Sequence, residues 1–175
     1  MRVIVGVRNK VWIWIAFWNI TLILSSGISI PVPFSPVPIT LQTLILILTI
    51  LSLGKMAYIP VLAYITEGAL GLPVFAGWTG GIWKLLGPTG GYILGFLVSS
   101  LIVGYMWEIL GKREKFIIPL GFLVHLIIYF FGVIQLSIFT GWNNVLALGV
   151  LPFLYGDTLK VITSYLIFKG WKAYT

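Results

Sequence analysis

Cysteine is absent from the 175 residues, which excludes disulfides, thiol nucleophiles and thiolate metal sites. Charge is scarce as well. Lys, Arg, Asp and Glu make up 9% of the chain, with four carboxylates (Glu67, Glu108, Glu114 and Asp157) and a single histidine, His125. So small a set offers little raw material for acid–base catalysis or a protein-held metal, and neither an enzyme nor a cofactor is expected. Soluble domains carry about a quarter charged residues, whereas here 59% of residues are hydrophobic and the mean hydropathy is +1.08. That composition belongs to an all-α polytopic membrane protein with no large soluble domain. The net charge of +7 is no sign of nucleic acid, because the basic residues sit between apolar runs, where they set topology.

What is present in excess is glycine, in one place. Residues 71–92 read GLPVFAGWTGGIWKLLGPTGGY, with seven glycines and two prolines, too many for a continuous helix. Within a bilayer, irregular backbone survives only where protein or a water-filled cavity surrounds it, since hydrocarbon satisfies no N–H or C=O group. A broken segment between apolar spans therefore predicts a binding cavity. Its GPTGGY portion lacks the Gly-Lys-Ser/Thr ending of a phosphate-cradling loop, so no ATP site is expected.

Taken in order, the chain predicts six spans in one integral membrane domain covering 1–175: about 11–28, 40–53, 56–70, 92–107, 116–135 and 152–168, with an outer loop over 71–91. A basic start before an apolar run resembles a secretory signal, but no clear cleavage site follows, and the run is kept as the first span. Pro31, Pro33, Pro36 and Pro38 predict a stiff, polyproline-like crossing that roofs a cavity. The run 136–149 is mixed and predicts an interfacial connection. Gly95, Ser99, Ser100 and Gly104 predict close helix packing. Placing both termini in the cytoplasm puts nine of the 11 basic residues inside (Arg2, Arg8, Lys10, Lys55, Lys112, Arg113, Lys115, Lys169 and Lys172), which satisfies the bias governing insertion. The Pro-rich crossing, the Gly-rich segment and the start of the last span then converge on the outer face.

Asp157 and Lys160, three apart, share one helix face. Ionisable residues at such depth face a cavity or a partner. They read either as a structural ion pair or as the recognition pair for a small molecule, an ammonium suiting an acceptor and a carboxylate suiting N–H donors. Gln42 and Thr43 open the second span beside the Pro-rich crossing, within reach of the same cavity. Trp78, Trp83 and Tyr92 offer flat walls for a ring system, or interfacial anchors. Glu67 is expected to pair Lys84 or to hold the loop. His125, with few ionisable neighbours in the sequence, predicts an interhelical hydrogen bond.

The runs IPVPFSPVPITLQTL (30–44), EGALGLPVFAG (67–77), GPTGGYILGF (87–96) and LPFLYGDTLK (151–160), in this order, resemble the BioY family, the biotin-specific capture subunits (S components) of energy-coupling factor (ECF) transporters. The resemblance implies a six-helix S-component fold in the plasma membrane of a prokaryotic cell. It implies biotin as ligand, held near the outer surface. It also implies as partners a coupling membrane subunit and two ABC-type ATPases on separate chains. The family's Gly-Asp-x-x-Lys motif falls on Gly156, Asp157 and Lys160, and its ligand-covering loop on Gly77, Trp78, Thr79, Gly80 and Gly81. In place of the Ala-x-x-x-Ala docking pattern common on the first helix of such subunits stand Ala16 and Ile20. The rival readings are a self-sufficient oligomeric carrier and a capture subunit for another vitamin.

Overall fold

The computed structural model describes the backbone of residues 2–173 and the side chains of 11–171. The terminal basic side chains Arg2, Arg8, Lys10 and Lys172, which weigh in the topology argument, lie outside the described side chains. The first helix, α1, runs Arg2–Ser26. The Pro-rich stretch that follows is not a polyproline crossing. It folds into an antiparallel hairpin of β1 (Ser29–Val32) and β2 (Ser35–Thr40), paired Ser29 to Thr40 and Ile30 to Ile39, with an irregularity between Ile30 and Val32. The reason is spacing. Each strand of an isolated pair keeps one edge free of ladder bonds, and prolines are tolerated on that edge or at a bulge, where their missing N–H costs nothing; Pro31 occupies the irregularity.

Two short helices come next, α2 (Gln42–Leu53) and α3 (Tyr58–Ala69), joined by the 3-10 turn Gly54–Met56. The pair bends by 117° at the turn. Of the Gly-rich segment, Ile82–Leu86 forms the single-turn helix α4, its last three residues open the next helix, and the rest is irregular. Helix α5 (Gly90–Ile109) starts two residues earlier than the expected 92. Helix α6 (Ile117–Thr140) absorbs the first part of the expected interfacial connection, and Trp142–Gly149 forms α7 before α8 (Leu154–Ala173).

Among the described residues two segments, Gly90–Ile109 and Glu114–Thr140, are long and apolar enough to cross a bilayer alone. Counting each bent pair, Gln42–Met56 with Tyr58–Ala69 and Trp142–Gly149 with Leu154–Trp171, as one span raises that to four, and Val11–Ser26 is a shorter apolar helix. The outer surface is what lipid contact demands: Ile13, Phe17, Leu126, Phe130, Ile138 and Leu166 are all exposed.

The core is built around α5 and α6, which approach closely because Gly95 lies against the backbone of Ile128 and Gly91 against that of Phe131. Further along α5, Gly104 lies against the Gly54 carbonyl at the α2–α3 turn. There, Trp107, fully buried, donates its indole N–H to the Leu51 carbonyl at 3.1 Å. Small residues thus bring α5 against both α6 and the α2–α3 wedge. The space left at the other end is the cavity described next.

Candidate functional site

The local fold of the Gly-rich segment is a tight turn. Phe75 and Thr79 exchange backbone hydrogen bonds at 2.8 and 3.1 Å, and between them Gly77 and Trp78 both have left-handed φ, +71° and +58°. Glycine adopts that region freely and tryptophan rarely does. The turn is tied to its surroundings by backbone: Gly77 N–H donates to the Ser26 carbonyl at the end of α1 at 3.0 Å, and Gly81 N–H to the Gly68 carbonyl in α3 at 2.7 Å. Opposite it, the hairpin is held by Ser35 Oγ donating to the Leu148 carbonyl in α7 at 2.7 Å. Gln135 Nε2 donates to the carbonyls of Leu85 and Gly87 at 2.8 and 2.7 Å, pinning the connection between α4 and α5.

These elements line a cavity of about 130 Å³. Pro36, Val37, Pro38 and Thr40 of the hairpin line it on one side, and Phe75, Ala76 and Thr79 of the turn on another. Aromatic walls come from Tyr64, Phe75, Tyr92, Phe96 and Phe153. The polar groups gather at one pole. Asp157, 7% exposed, accepts from Tyr129 Oη at 2.5 Å on Oδ2 and from Lys160 Nζ at 2.7 Å on Oδ1. Lys160 Nζ also donates to Thr43 Oγ1 at 3.0 Å. Gln42 Nε2 donates to the Tyr64 hydroxyl at 2.7 Å. A second cation, Lys84, is exposed and lines the cavity from α4, so it stands at the mouth.

Asp157, Lys160, Gln42, Thr43, Thr79 and Tyr92 all lie on the wall of this cavity. Gly77, Trp78, Gly80 and Gly81 are not on that wall; they shape the turn beside it. Trp78 lies over Gly27, so close that a Cβ on Gly27 would collide with the indole, and it is 51% exposed. The left-handed φ at the tip of the turn sends the ring toward α1 and away from the cavity. Trp83 is 79% exposed and supplies no wall either. Glu67 does not pair Lys84; its carboxylate accepts from Asn19 Nδ2 of α1 at 3.2 Å, which also donates to the Pro60 carbonyl at 3.2 Å. Among the described residues no acid pairs Lys84.

His125 meets both its own helix and a neighbouring one. Its hydrogen bond is within its own helix, Nδ1 to the Gly121 carbonyl at 2.9 Å, while Nε2 lies 3.5 Å from Asp157 Oδ1. The ionisable neighbours that the sequence separates, Asp157, Lys160 and Tyr129, are beside it in space. Sequence reasoning missed Tyr129, Tyr64, Phe75, Phe96 and Phe153 as lining residues. The only signal for Tyr129 was a lone hydroxyl in an otherwise apolar run, four residues from His125 and so on the same helix face.

Comparison with known proteins agrees with this architecture. A model of the BioY family matches residues 1–175. The chain is 43% identical over 145 residues to a "Probable biotin transporter BioY" of Pyrococcus horikoshii, covering 82% of this chain and 85% of that protein. It is 36% identical over 156 residues to the "Biotin transporter BioY" of Thermotoga maritima, covering 84% and 88%. A crystal structure of the S-component for biotin from an ECF-type ABC transporter superposes with a TM-score of 0.81 at 27% identity, covering 96% of this chain and 93% of that one. A full-length family match, relatives above 30% identity and a shared fold together make this chain a member of the BioY family, a family of membrane transport proteins and not of enzymes.

Proposed function

We propose that the chain is the biotin-capturing S component of an ECF transporter, taking biotin from outside a prokaryotic cell for uptake driven by a coupling membrane subunit and two ATPases on separate chains. The observation that carries the reading is the inventory of unused hydrogen-bonding capacity at the buried pole. Lys160 has three N–H donors and spends two, on Asp157 and Thr43. Asp157 Oδ2 accepts from Tyr129 alone, leaving one of its two lone pairs free. One open donor beside one open acceptor matches the edge of a cyclic urea, where an N–H adjoins a carbonyl.

In this reading the ureido ring of biotin enters first. Its N–H donates to Asp157 and its carbonyl accepts from Lys160, both charge-assisted bonds in a water-poor site. The bicycle packs against Phe75, Tyr92, Phe96 and Phe153. The valerate carboxylate remains at the mouth, where the exposed ammonium of Lys84 has no acidic partner among the described residues. The hairpin and the Gly-rich turn are the parts that must part to admit the ligand, since both line the cavity and neither is buried inside a helix bundle. Six spans with both termini cytoplasmic put the cavity at the outer face, and the distribution of basic residues supports that orientation.

The direct test is binding of radiolabelled biotin to the purified chain, with thiamine and riboflavin as competitors. Sub-millimolar affinity for biotin that neither competitor relieves is the expected result. Weaker binding, or displacement by either vitamin, overturns the ligand. Uptake into liposomes is expected only when coupling subunit and ATPases are present; biotin uptake by the chain alone overturns the division of labour.

A further inference from the structure

His125 is 3% exposed and is not on the cavity wall, yet it stands against the carboxylate at the cavity's pole. The partner of Nδ1 is a backbone carbonyl, which only accepts, so Nδ1 carries a proton. That leaves Nε2, buried and without a hydrogen-bond partner, 3.5 Å from Asp157 Oδ1. If Nε2 were a bare lone pair, it would face an oxygen that already accepts from an ammonium, on a carboxylate whose other oxygen accepts from a phenol. Those two donors suit an anion, and a lone pair turned toward an anion is repelled. A proton on Nε2 removes the repulsion and gives the buried nitrogen a partner.

We propose that His125 is a positioning residue for the ligand site: it holds a proton on Nε2 that braces Asp157 from the side away from the cavity, so the carboxylate keeps its free lone pair turned toward the ligand. The groups that face His125 are few. Asp157 and Lys160 come from α8 and Tyr129 from its own helix, with ring centroids 6.2 Å apart. Tyr92 of α5 is directed elsewhere: its ring lies against Gly132, and its hydroxyl donates to the Gly149 carbonyl at 2.9 Å. Helices α2 and α7 contain no titratable side chain, and Glu108, Glu114 and Lys115 lie toward the other ends of α5 and α6. Without that proton the repulsion returns and Asp157 slackens, so a side chain that cannot donate from this position weakens ligand binding. The link to affinity rests on the biotin reading; the proton does not.

The chain has one histidine, so nitrogen NMR of histidine-labelled full-length protein in detergent reports this ring alone. The expected spectrum shows protons on both ring nitrogens, and Asp157→Asn, which removes the anion facing Nε2, is expected to leave the ring protonated on Nδ1 alone. His125→Gln should bind biotin about tenfold more weakly. A wild-type ring protonated on Nδ1 alone, a ring spectrum unchanged by Asp157→Asn, or unaltered biotin affinity in His125→Gln would each overturn the proposal. If biotin fails to bind at all, the ligand reading falls while the ring spectrum of the unaltered chain still decides where the proton lies.

Discussion

Asp157 accepts from one donor on each of two helices, Tyr129 Oη of α6 and Lys160 Nζ of α8, and it lines the cavity. Truncating Lys160 to alanine removes the ligand's donor and also strips the buried carboxylate of its nearest cation. For a desolvated charge pair that loss is about 2 to 5 kcal/mol, so Lys160→Ala should weaken biotin binding by well over tenfold in titration calorimetry; a change under threefold would place Lys160 outside the contact. Tyr129→Phe keeps the ring and deletes one hydrogen bond to a charged group, a smaller loss of about 1.5 to 3 kcal/mol, read in the same assay. Equal affinity in the Phe variant would show that the hydroxyl does not hold the carboxylate. At this scale the sequence was partly legible. The Asp157 and Lys160 pair announced itself because two ionisable residues three apart in an apolar helix have few other uses. Tyr129 and Phe75 carried no such mark, since which face an aromatic shows depends on how α6 and α8 meet. Trp78 misled because its direction follows from a left-handed backbone, which composition does not reveal.

Among the elements, the α5–α6 contact is set by glycine, and its tightness can be measured. A Cβ at Gly95 would lie 2.7 Å from Ile128 Cα, and backbone cannot step aside as a flexible side chain can. Gly95→Val therefore forces the helices apart at a cost of about 1 to 3 kcal/mol, more than the few tenths of a kcal/mol by which valine exceeds glycine in helix propensity. Its midpoint of thermal unfolding in detergent should fall. Gly170→Ala in α8, where a Cβ meets nothing within 4 Å, should raise that midpoint or leave it unchanged. A reversal of the two would mean that close packing is not what holds α5 to α6. The apolar runs made the long helices readable, and the glycine spacing of α5 pointed to its packing role. The hairpin was not readable, because closely spaced prolines (31, 33, 36 and 38) suit a polyproline helix and the open edge of a two-stranded ribbon equally well. Which forms depends on whether the ends are brought together, here by α1, α2 and the Ser35 bond to α7.

For the molecule as a whole, orientation follows from where the positive charge lies, and the lack of cysteine makes it testable without a cleared background. Single cysteines at Trp83, 79% exposed beside the cavity mouth, and at Arg113, exposed between α5 and α6, sample the two faces. In intact cells a membrane-impermeant maleimide should label Trp83→Cys and reach Arg113→Cys only after permeabilisation. The opposite pattern would invert the topology and with it the direction of capture. The 117° bend between α2 and α3 bears on the bilayer as well as on the pocket. Each arm has 12 residues, about 18 Å of helix against a hydrocarbon core of about 30 Å. Where the wedge meets lipid, the acyl chains must shorten or tilt to cover it, at a fraction of a kcal/mol for each ångström of mismatch. Thermal stability in nanodiscs should accordingly peak with shorter-chain phospholipids and decline as the chains lengthen. A flat profile would mean that α5, α6 and their neighbours screen the wedge from lipid. If the peak is there, the thickness of the surrounding membrane becomes a variable that tunes this protein from outside its own sequence.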